Sequence, residues 1–213
     1  MIYRTRSNPK RYKKRMTKLF LISPGHGKNT AGKRDPEGRL KEWEFNRKLV
    51  DRIVAYCEDM NIPVAVLDYE ENDTPLSTRC ARANKYGRNT CYISIHGNAA
   101  GNGKNWMNAR GWCIYTSKGY TKADPIANVF IQEADKLIPG TGSRVRKYGQ
   151  KVYEQDWEEN FYVLKNTIMP AVLTENLFYD NKKDNAIMQS EEGLDILARI
   201  HANAMKRIME EGL

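Results

Sequence analysis

Two of the three histidines in this chain follow short apolar segments. The segment LFLIS (19–23) leads into His26, and the segment CYISI (91–95) leads into His96, with glycine beside both histidines. A glycine after a strand allows close backbone approach and exposes its neighbour at the rim of a sheet. A single histidine there is more often a hydrogen-bonded structural residue. Two in the same kind of position indicate a zinc site, because imidazole is a common zinc ligand.

A catalytic zinc usually has three protein ligands, and a glutamate is the natural third one here. Glu42 and Glu44 both begin the predicted helix that follows the first histidine. Residues two apart point to roughly opposite sides of a helix. Glu42 shares a face with Phe45 and Leu49, so we predict that Glu42 faces the sheet and binds the metal. The alternative for either glutamate is a first-turn residue favoured by the helix dipole.

Zinc hydrolysis also needs a group that takes a proton from the attacking water. The segment PAVLTENLF (170–178) places Glu175 at the end of an apolar strand. An acid at this position is costly unless it has a partner or a function. We predict that Glu175 is the catalytic acid/base, and a salt-bridged structural glutamate remains the alternative.

The third histidine and the cysteines are predicted to be core residues. His201 lies four residues from both Leu197 and Met205, on the apolar face of the last predicted helix, where a hydrogen-bonded core histidine is expected. The cysteines form no CxxC pair and have apolar or helix-patterned neighbours, so we expect buried free thiols. They are Cys57, Cys80, Cys91 and Cys113.

Short apolar runs alternate with helical patterns along the chain. Strands are predicted at 19–23, 64–68, 91–95, 112–116 and 171–174, and helices at 42–60, 76–88, 124–138 and 191–211. The strand segments are near-continuous apolar runs, as expected when both faces of a sheet are covered. The alternation predicts an α/β sheet with helices on both faces, and sites in such folds lie at the carboxyl ends of the strands.

The formal net charge is +9, and the first eighteen residues contain eight Lys or Arg and no acid. This segment favours contact with a polyanion, although a solvated leader is an equal alternative. No apolar stretch typical of a secretory signal follows it, and no apolar run approaches the roughly 20 residues of a membrane span. We therefore expect synthesis in the cytoplasm, with a basic extension at residues 1–17 and a single catalytic domain at 18–213.

Four blocks of the sequence resemble, in order, the zinc-dependent N-acetylmuramoyl-L-alanine amidases, in the branch of bacterial autolysins and phage endolysins. SPGHGK (23–28) and SIHGNA (94–99) resemble the blocks with the two histidine ligands. LKEWEFN (40–46) resembles the block with the glutamate ligand, and PAVLTENLFYDNKKD (170–184) resembles the block with the catalytic glutamate. The segment LSTRCARAN (76–84) is a further match.

The resemblance implies that His26, Glu42 and His96 bind Zn²⁺ and that Glu175 moves protons. It implies hydrolysis of the amide between N-acetylmuramic acid and L-alanine in peptidoglycan. The implied fold is a twisted, mostly parallel sheet of about six strands with helices on both faces. We expect a monomer that acts on the cell wall or in the periplasm, after lysis or non-classical release.

Three features depart from this pattern or leave its details open. Leu177 occupies a position where the family often has glycine, so the local turn is expected to differ. The Gly/Asn-rich stretch 100–111 is predicted to be a flexible rim loop. The stretch 140–162 is rich in basic and aromatic residues, and it either binds glycan or peptide or is an ordinary polar loop.

Other functions remain open from the sequence. Another zinc peptidase that cleaves stem peptides is the nearest enzymatic alternative. A nucleic-acid-binding protein would account for the charge of +9, but the common RNA-binding motifs are missing and the two histidines would be unexplained. A non-catalytic wall-binding module would have no need for an intact set of His26, Glu42, His96 and Glu175.

Overall fold

A six-stranded sheet forms the centre of the computed structural model, which describes residues 19–149, 151 and 155–213. The strands are β1 (Leu19–Pro24), β2 (Val64–Val66), β3 (Thr90–Asn98), β4 (Cys113–Thr116), β5 (Trp157–Glu158) and β6 (Ala171–Phe178). Their order across the sheet is β2-β1-β3-β6-β4-β5. The predicted basic extension at 1–17 lies outside the described residues.

Four neighbouring strands of the sheet are parallel. β2, β1, β3 and β6 run in one direction, whereas β4 is antiparallel to β6 and β5 is parallel to β4. This confirms the prediction of an α/β fold with a mostly parallel sheet of about six strands. Because β1, β3 and β6 are adjacent, their carboxyl ends meet at one edge of the sheet, where sites in such folds are built.

Helices cover both faces of the sheet, as predicted. The helices are α1 (Glu42–Asp59), α2 (Leu76–Asn84), α3 (Ala123–Leu137), α4 (Tyr162–Asn166), α5 (Lys182–Gln189) and α6 (Glu191–Glu211). The larger core lies between the sheet and α1, α3, α5 and α6, and a smaller core lies beneath α2 and α4. Within the described residues, no helix has both the length and the apolar character of a membrane span.

Both strands that carry predicted site residues are longer than predicted. The apolar pattern predicts strand ends at 95 and 174, but β3 continues to Asn98 and β6 continues to Phe178. His96 pairs with Glu175 across these two strands, so both residues lie within the sheet rather than after it. The prediction of their position was wrong because backbone pairing, not the apolar run, determines where a strand ends.

Other element boundaries also differ from the prediction. β2 ends at Val66 rather than 68, since Asp68 leaves the extended conformation with a φ of 58°. α2 ends at Asn84 rather than 88, and Gly87 follows with a φ of 78°. β5, α4 and α5 were not predicted, because they are too short to show a clear period. The start of α5 has a local signal, since the Asn181 side chain accepts two backbone N–H groups at its N-cap.

His201 is fully buried in the core, as predicted. Its Nδ1 lies 2.8 Å from the carbonyl oxygen of Leu197, so Nδ1 donates, and its Nε2 lies 3.0 Å from Oγ1 of Thr174 and accepts. Burial lowers the pKa of His201 to about 4. The prediction of buried free thiols is also confirmed for all the cysteines, namely Cys57, Cys80, Cys91 and Cys113.

Leu177 occupies a β-bulge between β6 and β3. The register shifts between His96 and Asn98, where β6 has an additional residue. Leu177 has a φ of 71°, in the left-handed region that favours glycine, and its side chain is fully buried. Backbone strain and favourable burial therefore oppose each other at this residue.

The burial of His201 predicts a pH-dependent contribution to the free energy of unfolding. Its pKa falls from 6.5 to about 4 on folding, so this contribution is complete above pH 6.5 and is lost as the pH falls toward 4. It amounts to up to about 3 kcal/mol. In the His201→Gln variant this part of the pH dependence disappears. Urea unfolding of both proteins across this range tests the prediction, and identical pH slopes would contradict it.

The conformation of Leu177 predicts an unusual order of stability. Leu177→Ala and Leu177→Gly both lose burial, which costs about 2–5 kcal/mol. The glycine variant also relieves the strain at positive φ, so we expect it to be more stable than the alanine variant by about 1 kcal/mol. Val172→Ala and Val172→Gly are the controls. Val172 is a core residue of β6 without a positive φ, so the alanine variant should be the more stable of these two. Thermal unfolding of the four variants checks this, and an alanine advantage at Leu177 would contradict it.

Candidate active site

The three predicted metal ligands meet at the carboxyl edge of the sheet. His26 follows β1, His96 lies near the end of β3, and Glu42 is the first residue of α1. Oε1 of Glu42 lies 3.3 Å from Nε2 of His26 and 3.0 Å from Nδ1 of His96. One donor atom from each residue lies within 4.8 Å of the others, so the fold brings all three together.

The distances and protonation of this donor set fit zinc. Tetrahedral zinc, with bonds of about 2.0–2.1 Å, holds its ligand atoms about 3.3 Å apart. Burial acts to raise the pKa of Glu42, but hydrogen bonds from His26 and His96 outweigh it and hold the pKa at about 2. Burial lowers the pKa of His96. A carboxylate and a neutral imidazole are the forms that a metal binds.

Helix geometry separates Glu42 from its alternative, Glu44. Glu42 is 1% exposed and shares the buried face of α1 with Phe45 and Leu49. Glu44 lies on the outer side, where it forms an ion pair of 3.0 Å with Lys41. The predicted orientation of both glutamates is confirmed.

The same helix also holds the loop that carries His26. Nδ2 of Asn46 donates to the carbonyl oxygen of Gly25 at 3.0 Å, and Nη1 of Arg47 donates to the carbonyl oxygen of His26 at 3.1 Å. His26 has a φ of 60°, which a non-glycine residue adopts only when its surroundings hold it there. α1 therefore supplies one predicted ligand and fixes the backbone of another.

Glycines are required on both sides of His26. A Cβ atom at Gly25 would lie 2.1 Å from Cε1 of the His96 ring, and a Cβ atom at Gly27 would lie 2.0 Å from the backbone nitrogen of Asp73. The first glycine lets the two imidazoles approach, with ring centroids 5.0 Å apart. The second lets the loop that contains Asp73 pack against His26.

Glu175 lies beside His96 on the neighbouring strand and lines the same cavity. Burial, and then the negative charge of Glu42, raise the pKa of Glu175 well above its usual range. Its Oε2 is shielded from solvent and has no hydrogen-bond partner among the described residues. The salt-bridged structural role considered for Glu175 is not observed in this part of the chain, and a carboxyl group of this kind can exchange protons.

A cavity of about 770 Å³ is lined by the three predicted ligands and Glu175. One wall is formed by Gly101 and Asn102 of the predicted rim loop, and another by Phe161 and Tyr162 at the start of α4. Asp180 holds the rim loop, since its Oδ2 accepts the backbone N–H groups of Ala100 at 2.9 Å and Gly101 at 2.7 Å. The stretch 100–111 therefore borders the site, as predicted.

Asp184 holds a second loop at this end of the sheet. Its Oδ2 accepts the backbone N–H of Gly111 at 2.6 Å, and its Oδ1 accepts the Ser143 hydroxyl at 2.8 Å. Asp184, the last residue of the matching segment PAVLTENLFYDNKKD, is therefore a structural residue that holds the loop leading into β4. Sequence reasoning assigned no role to it.

Two aromatic residues of the stretch 140–162 pack edge-to-face. The rings of Tyr148 and Trp157 lie 5.5 Å apart, and the guanidinium of Arg146 lies 5.2 Å from the Trp157 ring. Phe161 and Tyr162, at its end, line the cavity. Residues 150 and 152–154 of this stretch lie outside the described residues.

Several residues near the ligands were not predicted from the sequence. Asp73, Arg79 and Ser94 all line the cavity or contact a histidine. Arg79 belongs to the matching segment LSTRCARAN, which is a signal, but nothing in the sequence shows that its side chain reaches β1. Asn46 follows Glu42 by four residues, about one helical turn, so helical spacing could have identified it.

Comparison with known proteins shows the family of this chain. The Amidase_3 family model, described as N-acetylmuramoyl-L-alanine amidase, matches residues 20–207. The chain is 30% identical over 196 residues to the endolysin of Bacillus phage SPP1, which covers 91% of this chain and 67% of the relative. It is 28% identical over 203 residues to the N-acetylmuramoyl-L-alanine amidase CwlM of Bacillus licheniformis, which covers 90% of this chain and 68% of the relative.

Solved structures share the fold. The N-acetylmuramoyl-L-alanine amidase of Clostridium difficile 630 aligns with a TM-score of 0.77 at 23% identity, over 90% of this chain and 96% of the other. The catalytic domain of CwlV from Bacillus (Paenibacillus) polymyxa var. colistinus aligns with a TM-score of 0.75 at 23% identity, over 91% and 98%. Since the family match spans most of the sequence, this chain belongs to the N-acetylmuramoyl-L-alanine amidase family, Amidase_3.

Proposed function

We propose that this chain is a zinc-dependent enzyme that hydrolyses the amide between the lactyl group of N-acetylmuramic acid and L-alanine in peptidoglycan. One observation carries the proposal: His26 and His96 converge on Oε1 of Glu42 while Glu175 borders the same cavity. Membership of the amidase family, together with relatives named as an endolysin and an amidase, supports this substrate.

His26, Glu42 and His96 would hold the zinc ion. The chemistry that zinc would supply there is polarisation of the scissile carbonyl and a lower pKa of the attacking water. The three side chains carry one negative charge in total when both imidazoles are neutral. The ligand set would therefore leave a net positive charge at the site, which would stabilise the oxyanion that develops on the substrate.

Glu175 acts as the acid/base in this proposal. Burial and the negative charge of Glu42 raise the pKa of Glu175 above that of an ordinary carboxyl group, which favours the uptake of a proton. Glu175 takes a proton from the attacking water as the new C–O bond forms. It delivers that proton to the amine nitrogen as the C–N bond breaks. The products are the lactyl carboxylate and the free amino group of the stem peptide.

We further propose that residues 18–213 form the catalytic domain and that 1–17 are a basic extension. A formal net charge of +9 would draw the protein to anionic wall polymers, and this attraction weakens as salt is added. The charge alone selects no particular bond for cleavage. That selection rests on the cavity and its four site residues.

Digestion of purified sacculi with the zinc-loaded protein tests the proposed reaction. Mass spectrometry should detect lactyl carboxylates on muramic acid and stem peptides with a free L-alanine amino group. The Glu175→Gln variant should retain zinc but lose about 10²–10⁴-fold in kcat, because it cannot accept a proton. Glu159→Gln is the matched control, since Glu159 is exposed and pairs with Lys118 at 3.7 Å.

Two outcomes would contradict the proposal. Cleavage only within the stem peptides would identify the enzyme as a zinc peptidase instead. Undiminished kcat in Glu175→Gln would remove the proposed role of that residue.

A further inference from the structure

The two histidines of the zinc site present different ring nitrogens to Glu42. His26 faces Oε1 of Glu42 with Nε2, whereas His96 faces the same oxygen with Nδ1. The other nitrogen of each ring points to a different acceptor. Nδ1 of His26 lies 3.8 Å from Oδ2 of Asp73, and Nε2 of His96 lies 3.2 Å from Oγ of Ser94.

Asp73 is held so that it can only accept a hydrogen bond from His26. Its Oδ1 accepts Nη2 of Arg79 at 3.0 Å, and its Oδ2 accepts the Thr30 hydroxyl at 2.7 Å. The Thr30 hydroxyl already accepts the backbone N–H of Gly27 at 3.1 Å, so its own proton goes to Asp73. Oδ2 of a carboxylate can accept a second donor, and Nδ1–H of His26 is the nearby candidate.

Arg79 fixes this carboxylate relative to β1. The guanidinium is 3% exposed and donates to the carbonyl oxygens of Pro24 at 2.8 Å and Thr74 at 2.9 Å, as well as to the Ser23 hydroxyl at 2.9 Å. It thereby ties the end of β1, which leads into His26, to the loop that carries Asp73. The 3.8 Å between His26 and Asp73 exceeds a hydrogen bond, but a movement of less than about 1 Å closes it.

Ser94 makes a different kind of contact with His96. Ser94 is buried on β3, two residues before His96 and on the same side of the strand. A hydroxyl both donates and accepts, so Ser94 fits either form of the imidazole. When Nδ1 of His96 binds a metal, Nε2 carries the proton and donates a hydrogen bond to the Ser94 hydroxyl.

We propose that His26 binds the metal through Nε2 with Nδ1–H directed at Asp73, and that His96 binds it through Nδ1 with Nε2–H directed at Ser94. Asp73 and Ser94 are then positioning residues: the Asp73 carboxylate selects the tautomer of His26, and the Ser94 hydroxyl orients the ring of His96 by accepting its Nε2–H. Such partners orient a ligand and raise its basicity. The inference rests on the proposed zinc site and adds to it which atoms bind.

Nitrogen-15 NMR of the full chain, labelled at histidine, reads the tautomers directly. The chain has only three histidines, and His201 serves as an internal reference because its Nδ1 donates to Leu197. On addition of zinc alone, we expect Nε2 of His26 and Nδ1 of His96 to move to metal-bound shifts, with their opposite nitrogens protonated. The His201 signals should stay in place.

The Asp73→Asn variant tests the positioning role. An amide group cannot accept from Arg79, Thr30 and His26 together, so we expect the zinc dissociation constant to rise about 10–100-fold, measured by competition with a chelator. Glu71→Gln is the matched control, because Glu71 lies in the same loop, is exposed and pairs with Lys28. The melting temperature of the zinc-free variant separates a folding defect from a loss of zinc affinity.

The outcomes distinguish this inference from the proposed function. Zinc binding through Nδ1 of His26 or Nε2 of His96 overturns the inference and leaves the zinc site intact. Unchanged zinc affinity in Asp73→Asn overturns the role of Asp73. If zinc shifts neither histidine, the proposed zinc-dependent function fails as well.

Discussion

The structure depends on one buried negative charge, the carboxylate of Glu42. This group is 1% exposed, and its Oε1 lies between the rings of His26 and His96. A charge in this position is costly unless positive charge meets it. The N-terminus of α1 supplies part of this positive charge, because the helix dipole favours an anion there. The two imidazoles supply hydrogen bonds, and a divalent cation would satisfy all three residues together.

The fold and the site result from the same few constraints. α1 supplies Glu42, and one turn later Asn46 and Arg47 hold the carbonyl oxygens of the His26 loop. The register between β3 and β6 sets His96 opposite Glu175, so a ligand and the proposed acid/base lie side by side. Helix packing and strand register therefore fix the spacing of the four residues.

The sequence predicted the fold class and the edge of the sheet at which the site residues gather, since apolar runs and helical faces are local patterns. The face of α1 distinguished Glu42 from Glu44 for the same reason. Long-range contacts were not predictable in this way. That Asp73 reaches His26 depends on how two loops pack around the Arg79 side chain. The true ends of β3 and β6 depend on pairing between strands far apart in sequence, which no local pattern records.

Zinc titration of Glu42→Gln beside Glu44→Gln tests the central claim most directly. The two glutamates lie two residues apart on one helix turn, and only Glu42 faces the histidines. We expect the wild-type chain and Glu44→Gln to bind one zinc ion each with similar affinity, whereas Glu42→Gln loses tight binding while remaining folded. Equal zinc affinity in Glu42→Gln and the wild type would contradict the account, because the buried carboxylate would then not be the centre of the metal site.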